Sequence, residues 1–184
     1  MRLQHRVIVL NGISSAGKST IARQLQSSLD GPYLVFGTDT LIAAMPEAPI
    51  VDGPDLIRFE PDGTVAVTAG FRTLEASWYA GLAAIAQAGT GLIIDEVLLG
   101  GGASQARLAD ALAGLDVVWV AVRCDLGVAT AREANRADRV VGMAASQFPL
   151  VHDGVSYDLA VDTTHDSAAS CATRIVTWLD RRAD

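Results

Sequence analysis

The stretch Val7-Ile8-Val9-Leu10-Asn11-Gly12-Ile13-Ser14-Ser15-Ala16-Gly17-Lys18-Ser19-Thr20 decides the fold. Its first four residues are aliphatic without a polar interruption, which predicts a strand buried on both faces. Gly12 to Ser19 then fits G-x-x-x-x-G-K-[ST], and Ile21, Leu25 and Leu29 beyond it have the spacing of a helix over 20–29. Strand, loop and helix together read as a P-loop. Gly12 and Gly17 let the backbone turn tightly, and the N–H groups of the loop and first helical turn form an anion nest. Lys18 offers a compact charge to the β- and γ-phosphates, and the Ser19 hydroxyl can ligate Mg²⁺. The pattern therefore assigns Gly12, Ile13, Ser14, Ser15, Ala16, Gly17, Lys18, Ser19 and Thr20 to ATP and its Mg²⁺. The bland alternative is a glycine-rich turn with an incidental lysine.

Four more apolar runs, at 33–37, 92–95, 117–123 and 157–162, are separated by alanine-rich stretches with helical spacing. Continuous Val/Ile/Leu runs alternating with helices predict a three-layer α/β domain of the P-loop kinase kind. A five-stranded parallel sheet would carry helices on both faces, in one domain over 1–184. The alternation breaks at 46–69, which holds Pro46, Pro49, Pro54 and Pro61. Within it, Pro61-Asp62-Gly63 between two alternating runs predicts a hairpin, because Pro presets φ and Gly supplies positive φ. An insertion here, after the second strand, suits substrate recognition, and a surface decoration fits the sequence equally well.

The chain has 14 basic and 21 acidic residues in 184, a formal charge of −7. That balance argues against a nucleic-acid binder, whose footprint is a basic face, while leaving room for a locally positive site. No apolar run approaches the roughly 20 residues that span a bilayer, and the run after Arg6 is too short for a signal-peptide core. The expectation is a cytoplasmic protein, with Cys124 and Cys171 as buried free thiols. Of the 14 basic residues, 13 are Arg and Lys18 is the one Lys. A planar guanidinium does not replace an ammonium tucked inside a loop.

Three features bear on a reaction. Leu92-Ile93-Ile94-Asp95-Glu96 ends a strand on an acidic pair, so Asp95 is the candidate second Mg²⁺-organising group, with Glu96 pointing to the other face; a turn-capping acid is the alternative. Phe36-Gly37-Thr38-Asp39 ends the second strand on the same edge. Asp39 is either the carboxylate that accepts an alcohol's proton or, with Thr38, the cap of a short helix. Arg132, Arg136 and Arg139 share a helical face in a lid region over about 126–147. They would neutralise charge on a transferring phosphoryl group, or else form a solvated face paired with Glu133 and Asp138. Asp162 to Asp166 reads as a helix start capped by Thr164 or Asp166, with nucleobase contact as an alternative. His152 and His165 stand without catalytic partners.

These residues resemble the chloramphenicol phosphotransferase family of small P-loop kinases, nearly end to end. The resemblance lies in Leu10-Asn11-Gly12 with Ser14 to Ser19, Phe36-Gly37-Thr38-Asp39, Ile94-Asp95-Glu96-Val97, Leu99-Gly100-Gly101 and Val122-Arg123-Cys124-Asp125. It continues through Asp138-Arg139-Val140, Gly142-Met143-Ala144, Val151-His152, Tyr157-Asp158 and Asp162-Thr163-Thr164-His165. It implies transfer of the ATP γ-phosphoryl group to a small-molecule alcohol, with chloramphenicol as the family's acceptor. By the same resemblance Asp39 is the general base, while Lys18, Arg136 and Arg139 attend the phosphates. Glu96 departs from the family, which has a second Asp there, and the insertion matches only loosely. A kinase for a sugar acid, nucleoside or sugar nucleotide, and a nucleotide switch without transfer chemistry, are the competing readings.

Overall fold

A computed structural model describes residues 6–46, 56–135 and 141–183. In chain order these form β1 (Arg6–Asn11), α1 (Lys18–Ser28), β2 (Tyr33–Gly37), α2 (Thr38–Ala43), β3 (Ile57–Phe59), β4 (Val65–Val67) and α3 (Ala69–Gln87). They continue with β5 (Gly91–Glu96), α4 (Gly101–Ala111), β6 (Asp116–Arg123), α5 (Leu126–Ala134), α6 (Met143–Gln147), β7 (Leu159–Asp162) and α7 (Ala168–Ala183).

Five strands form one sheet in the order β2-β5-β1-β6-β7, all parallel. Alternation along the central strand divides the core. Ile8 and Leu10 pack with Ile21 and Leu25 of α1 and Ile175 and Leu179 of α7, whereas Val7 and Val9 pack with Tyr79 and Leu82 of α3 and Leu108 of α4. Each fully buried aliphatic side chain contributes roughly 1.5–3 kcal/mol. Between Arg6, which opens the strand, and Asn11, which ends it, a strand sealed on both faces accordingly contains no polar residue.

Asn11 is itself buried, and its carboxamide ties three loops to the end of β1. Its Nδ2 donates to the Val151 carbonyl and to the Tyr157 hydroxyl, each at 2.6 Å, and its Oδ1 accepts the Leu98 N–H at 2.9 Å. A buried amide with both ends satisfied fixes the sheet's carboxyl edge as a rigid platform.

Several local readings are corrected. Gly12 is needed where β1 leaves the sheet: a Cβ there would lie 2.3 Å from the Val122 carbonyl of β6. The tight turn belongs to Gly17, whose φ of 87° makes it the N-cap of α1, so the helix begins at Lys18 rather than Thr20. Neither Thr38 nor Asp39 caps α2, because Gly37 is the N-cap and both residues lie in the first turn. At α7 it is the Ser167 hydroxyl that accepts the Ser170 N–H, while Asp166 pairs with Arg174 and Thr164 accepts the Asp125 N–H. β7 starts at Leu159, two residues later than the apolar run; just before it Asp158 pairs with Trp119 of β6, its N–H donating to the Trp119 carbonyl at 2.9 Å and its carboxylate accepting the Trp119 N–H at 2.8 Å.

The Pro-Asp-Gly segment forms the expected hairpin, with β3 antiparallel to β4. Its turn is closed by Gly63 N–H to the Glu60 carbonyl at 3.0 Å and by the Asp62 carboxylate accepting from Thr64 N–H at 2.9 Å. Among the described residues no helix is long and apolar enough to cross a membrane. Cys124 and Cys171 are free and buried.

Candidate active site

The carboxyl ends of β1, β5 and β2 meet in one cleft. One end is the loop between β1 and α1. Lys18 is 7% exposed, its Nζ 3.1 Å from the Ile13 carbonyl and 3.6 Å from Asp95 Oδ1. Ser15 holds a positive φ of 59°, uncommon for a residue with a Cβ, and turns the loop inward. The hydroxyls of Ser14 and Ser15 are buried with no partner among the described residues. The leading N–H groups of α1 have no intrahelical acceptor and receive no side-chain cap. Orphaned donors converging beside a buried ammonium make a cradle for an oxyanion such as a phosphate.

Asp95, the penultimate residue of β5, accepts the Ser19 hydroxyl at 2.6 Å. A hydroxyl and a carboxylate placed together beside an anion cradle are hard oxygen donors of the kind Mg²⁺ selects. Glu96, one residue on, faces away. It is 1% exposed, its Oε2 accepts the Thr38 hydroxyl at 2.5 Å, and its Oε1 has no partner among the described residues. Burial pushes its carboxyl up to about 7, against the Thr38 hydrogen bond and with help from the negative charge of Asp95. Behind it on α3, Glu75 is held between Arg72 at 2.7 Å and Arg107 of α4 at 3.1 Å.

The other end of the cleft is largely apolar. Asp39, exposed in the first turn of α2, shares the lining with Ile42, with Ile57, Phe59 and Val65 of the hairpin, and with Met143 of α6. Lys18 is the one cation among the described lining residues. The hairpin is seated rather than pendant. Its Gly63 carbonyl accepts the Ser146 hydroxyl at 2.8 Å, and a Cβ on Gly63 would lie 2.3 Å from Gly142.

Of the arginine run, Arg136 and Arg139 lie outside the described residues. Arg132 is anchored to the β7 end, donating to the Thr163 carbonyl at 2.8 Å. Glu133 is no surface ion-pair partner: it is 1% exposed and accepts the N–H groups of Gly142 and Ala144, both at 2.9 Å, so that it caps α6. Glu133 and Gln147 are residues that sequence reasoning missed. Gln147 is 2% exposed, lines the cleft, and takes the Ser14 N–H on its Oε1 at 2.6 Å. Their partners lie far along the chain or on backbone, and no spacing rule reaches them.

Solved structures share this architecture. A sugar kinase from Janibacter superposes with a TM-score of 0.65 at 19% identity, covering 96% of this chain and 95% of its own. Shikimate kinase from Acinetobacter baumannii, in complex with shikimate, gives 0.59 at 20% identity, with coverage of 96% and 93%. The Mycobacterium tuberculosis APS kinase, in complex with AMPPNP and APS, gives 0.62 at 15%, covering 96% and 98%. These likenesses establish the P-loop kinase fold. A search of curated protein sequences finds no match. The family model of chloramphenicol phosphotransferase-like proteins matches residues 5–180, and the chain belongs to that family.

Proposed function

We propose that the chain transfers the γ-phosphoryl group of ATP to a hydroxyl of a small, largely apolar alcohol, with chloramphenicol or a related amphenicol as the acceptor. The observation that carries this is the single cleft joining Lys18, Ser19 and Asp95 at one end to Asp39 and the apolar hairpin face at the other. An acceptor held there lies between a carboxylate and the phosphate cradle. The apolar lining, with Lys18 as its one described cation, suits an uncharged acceptor better than a sugar acid.

Asp39 orients the acceptor hydroxyl and takes its proton as the oxygen attacks γ-phosphorus. The new O–P bond forms while the bond from γ-phosphorus to the β-bridging oxygen breaks, and ADP leaves. Lys18 and the P-loop N–H groups meet charge spreading over the phosphoryl oxygens, with Arg136 and Arg139 joining them by family resemblance. Ser19 and Asp95 would hold Mg²⁺, which when bound neutralises phosphate charge. Positioning by the hairpin makes the encounter effectively unimolecular.

Asp39→Asn is expected to bind AMPPNP as wild type does and to lose transfer by at least about a hundredfold. Product formation from amphenicols and other small alcohols, followed by mass spectrometry, reads this out. Undiminished transfer by the variant overturns the base assignment, and a wild-type protein that phosphorylates only anionic alcohols overturns the acceptor class.

A further inference from the structure

Gln147 ends α6 at a point where a polar side chain has few reasons to be buried. It is 2% exposed, and its Oε1 accepts the Ser14 N–H at 2.6 Å. An N–H donor requires an oxygen opposite it, so this bond settles which way the carboxamide faces and leaves the NH₂ as the other arm. No described residue accepts from that Nε2. Gln147 lines the cleft together with Lys18, Ser19, Asp39 and Asp95, the residues between which a terminal phosphoryl group would stand. The buried, unpartnered hydroxyls of Ser14 and Ser15 belong to the same loop.

The arm is also preorganised. Glu133 caps α6 through the Gly142 and Ala144 N–H groups, the Ser146 hydroxyl is bonded to the hairpin at Gly63, and Gln147 is bonded to the P-loop. A neutral donor fixed from three sides suits recognition of developing negative charge without reorganisation.

We propose that Gln147 is a γ-phosphate ligand, its carboxamide NH₂ donating to the terminal phosphoryl group of the bound nucleoside triphosphate. The inference rests on the reading that the P-loop binds such a nucleotide, and it is independent of which alcohol is phosphorylated.

The test compares AMPPNP with ADP by calorimetry on the full chain, without any acceptor. Gln147→Glu keeps an oxygen for the Ser14 N–H and replaces the donor by a second oxygen. Gln147→Met removes both arms without adding charge. Both variants are expected to weaken AMPPNP by about tenfold or more, as befits one lost hydrogen bond to a charged group, while ADP stays within about threefold. Equal weakening of AMPPNP and ADP in both variants makes Gln147 a structural buttress and overturns the proposal, as does undiminished AMPPNP affinity in either. A wild-type protein that binds neither nucleotide refutes the nucleotide reading itself, and this inference with it. A wild type that binds AMPPNP but phosphorylates no alcohol refutes only the acceptor assignment.

Discussion

Replacing Glu96 by Gln tests the electrostatics at the end of β5. Glu96 is buried, with one oxygen on the Thr38 hydroxyl and the other unpartnered among the described residues, and burial pushes its carboxyl up to about 7. In the unfolded chain the same group titrates at about 4.3. A raised carboxylate pKa means that the folded protein favours the neutral form. Below about pH 4 both states are protonated and nothing is lost; as pH rises, the folded state must bury a charge, and the loss is complete above its own pKa. Roughly two to three units at ~1.4 kcal/mol each place the full effect near 3 kcal/mol. Gln accepts the Thr38 hydroxyl through its amide oxygen and does not titrate. Its NH₂ takes the place of the unpartnered oxygen, at a cost of about 1–3 kcal/mol that does not depend on pH. The stability of Glu96→Gln minus that of wild type should therefore climb by about 3 kcal/mol between roughly pH 4.5 and pH 8, whatever its offset. Urea unfolding at a series of pH values, in chelator so that Ser19 and Asp95 hold no metal in either protein, measures that difference from the midpoints at constant slope. For a domain of this size it corresponds to a relative shift of about 6–12 °C in thermal midpoint. A difference flat to within about 0.5 kcal/mol across the series refutes the argument, and places the Glu96 carboxyl in contact with water.

Lys18→Arg is expected to weaken both ADP and AMPPNP by at least about tenfold in calorimetry, because a guanidinium fork has no room where Nζ sits 3.1 Å from the Ile13 carbonyl. Retained affinity would show that charge alone, and not a compact ammonium, serves the loop. Gly63→Ala should destabilise the protein by about 2 kcal/mol or more in urea, since alanine there combines a φ of 81° with a Cβ 2.3 Å from Gly142. A loss under about 0.5 kcal/mol would mean that the hairpin is not seated on α6.

What the sequence discloses and what it conceals follow from the range of the interactions involved. Strands buried on both faces announce themselves because every position must be apolar, and the five parallel strands lie where the apolar runs predict them, to within two residues at each end. The hairpin is legible for a similar local reason, since Pro61, Asp62 and Gly63 supply the turn's geometry within four residues. The P-loop is legible because the turn, the nest and the ammonium are consecutive, although the reason for Gly12 is concealed in β6, more than a hundred residues away. Caps were the weakest reading. Thr38, Asp39, Thr164 and Asp166 all have the right side chains, and the choice of Gly37 and Ser167 instead depends on where strand pairing releases the chain.

The concealed part of the site is the part built from distant pairs, and those pairs explain why the cleft can act as a unit. Glu133 resembles a solvent-facing helical acid until Gly142 and Ala144 return to it, and Gln147 resembles a surface glutamine until Ser14 meets it. Read in order, Gly63 of the hairpin bonds Ser146, α6 carries Ser146 and Gln147, Glu133 caps α6, and Gln147 bonds the P-loop. The apolar wall that would receive an acceptor is thus joined to the loop that would receive phosphate through one five-residue helix, not through the sheet alone. Interactions of this kind hold two reacting groups at a fixed separation, which is where much of the barrier to bimolecular transfer is removed. A perturbation at the hairpin turn should then be felt at the phosphate loop: Gly63→Ala is expected to erode the preference for AMPPNP over ADP as well as stability. A variant that loses stability while keeping that preference intact would break the chain of contacts at α6.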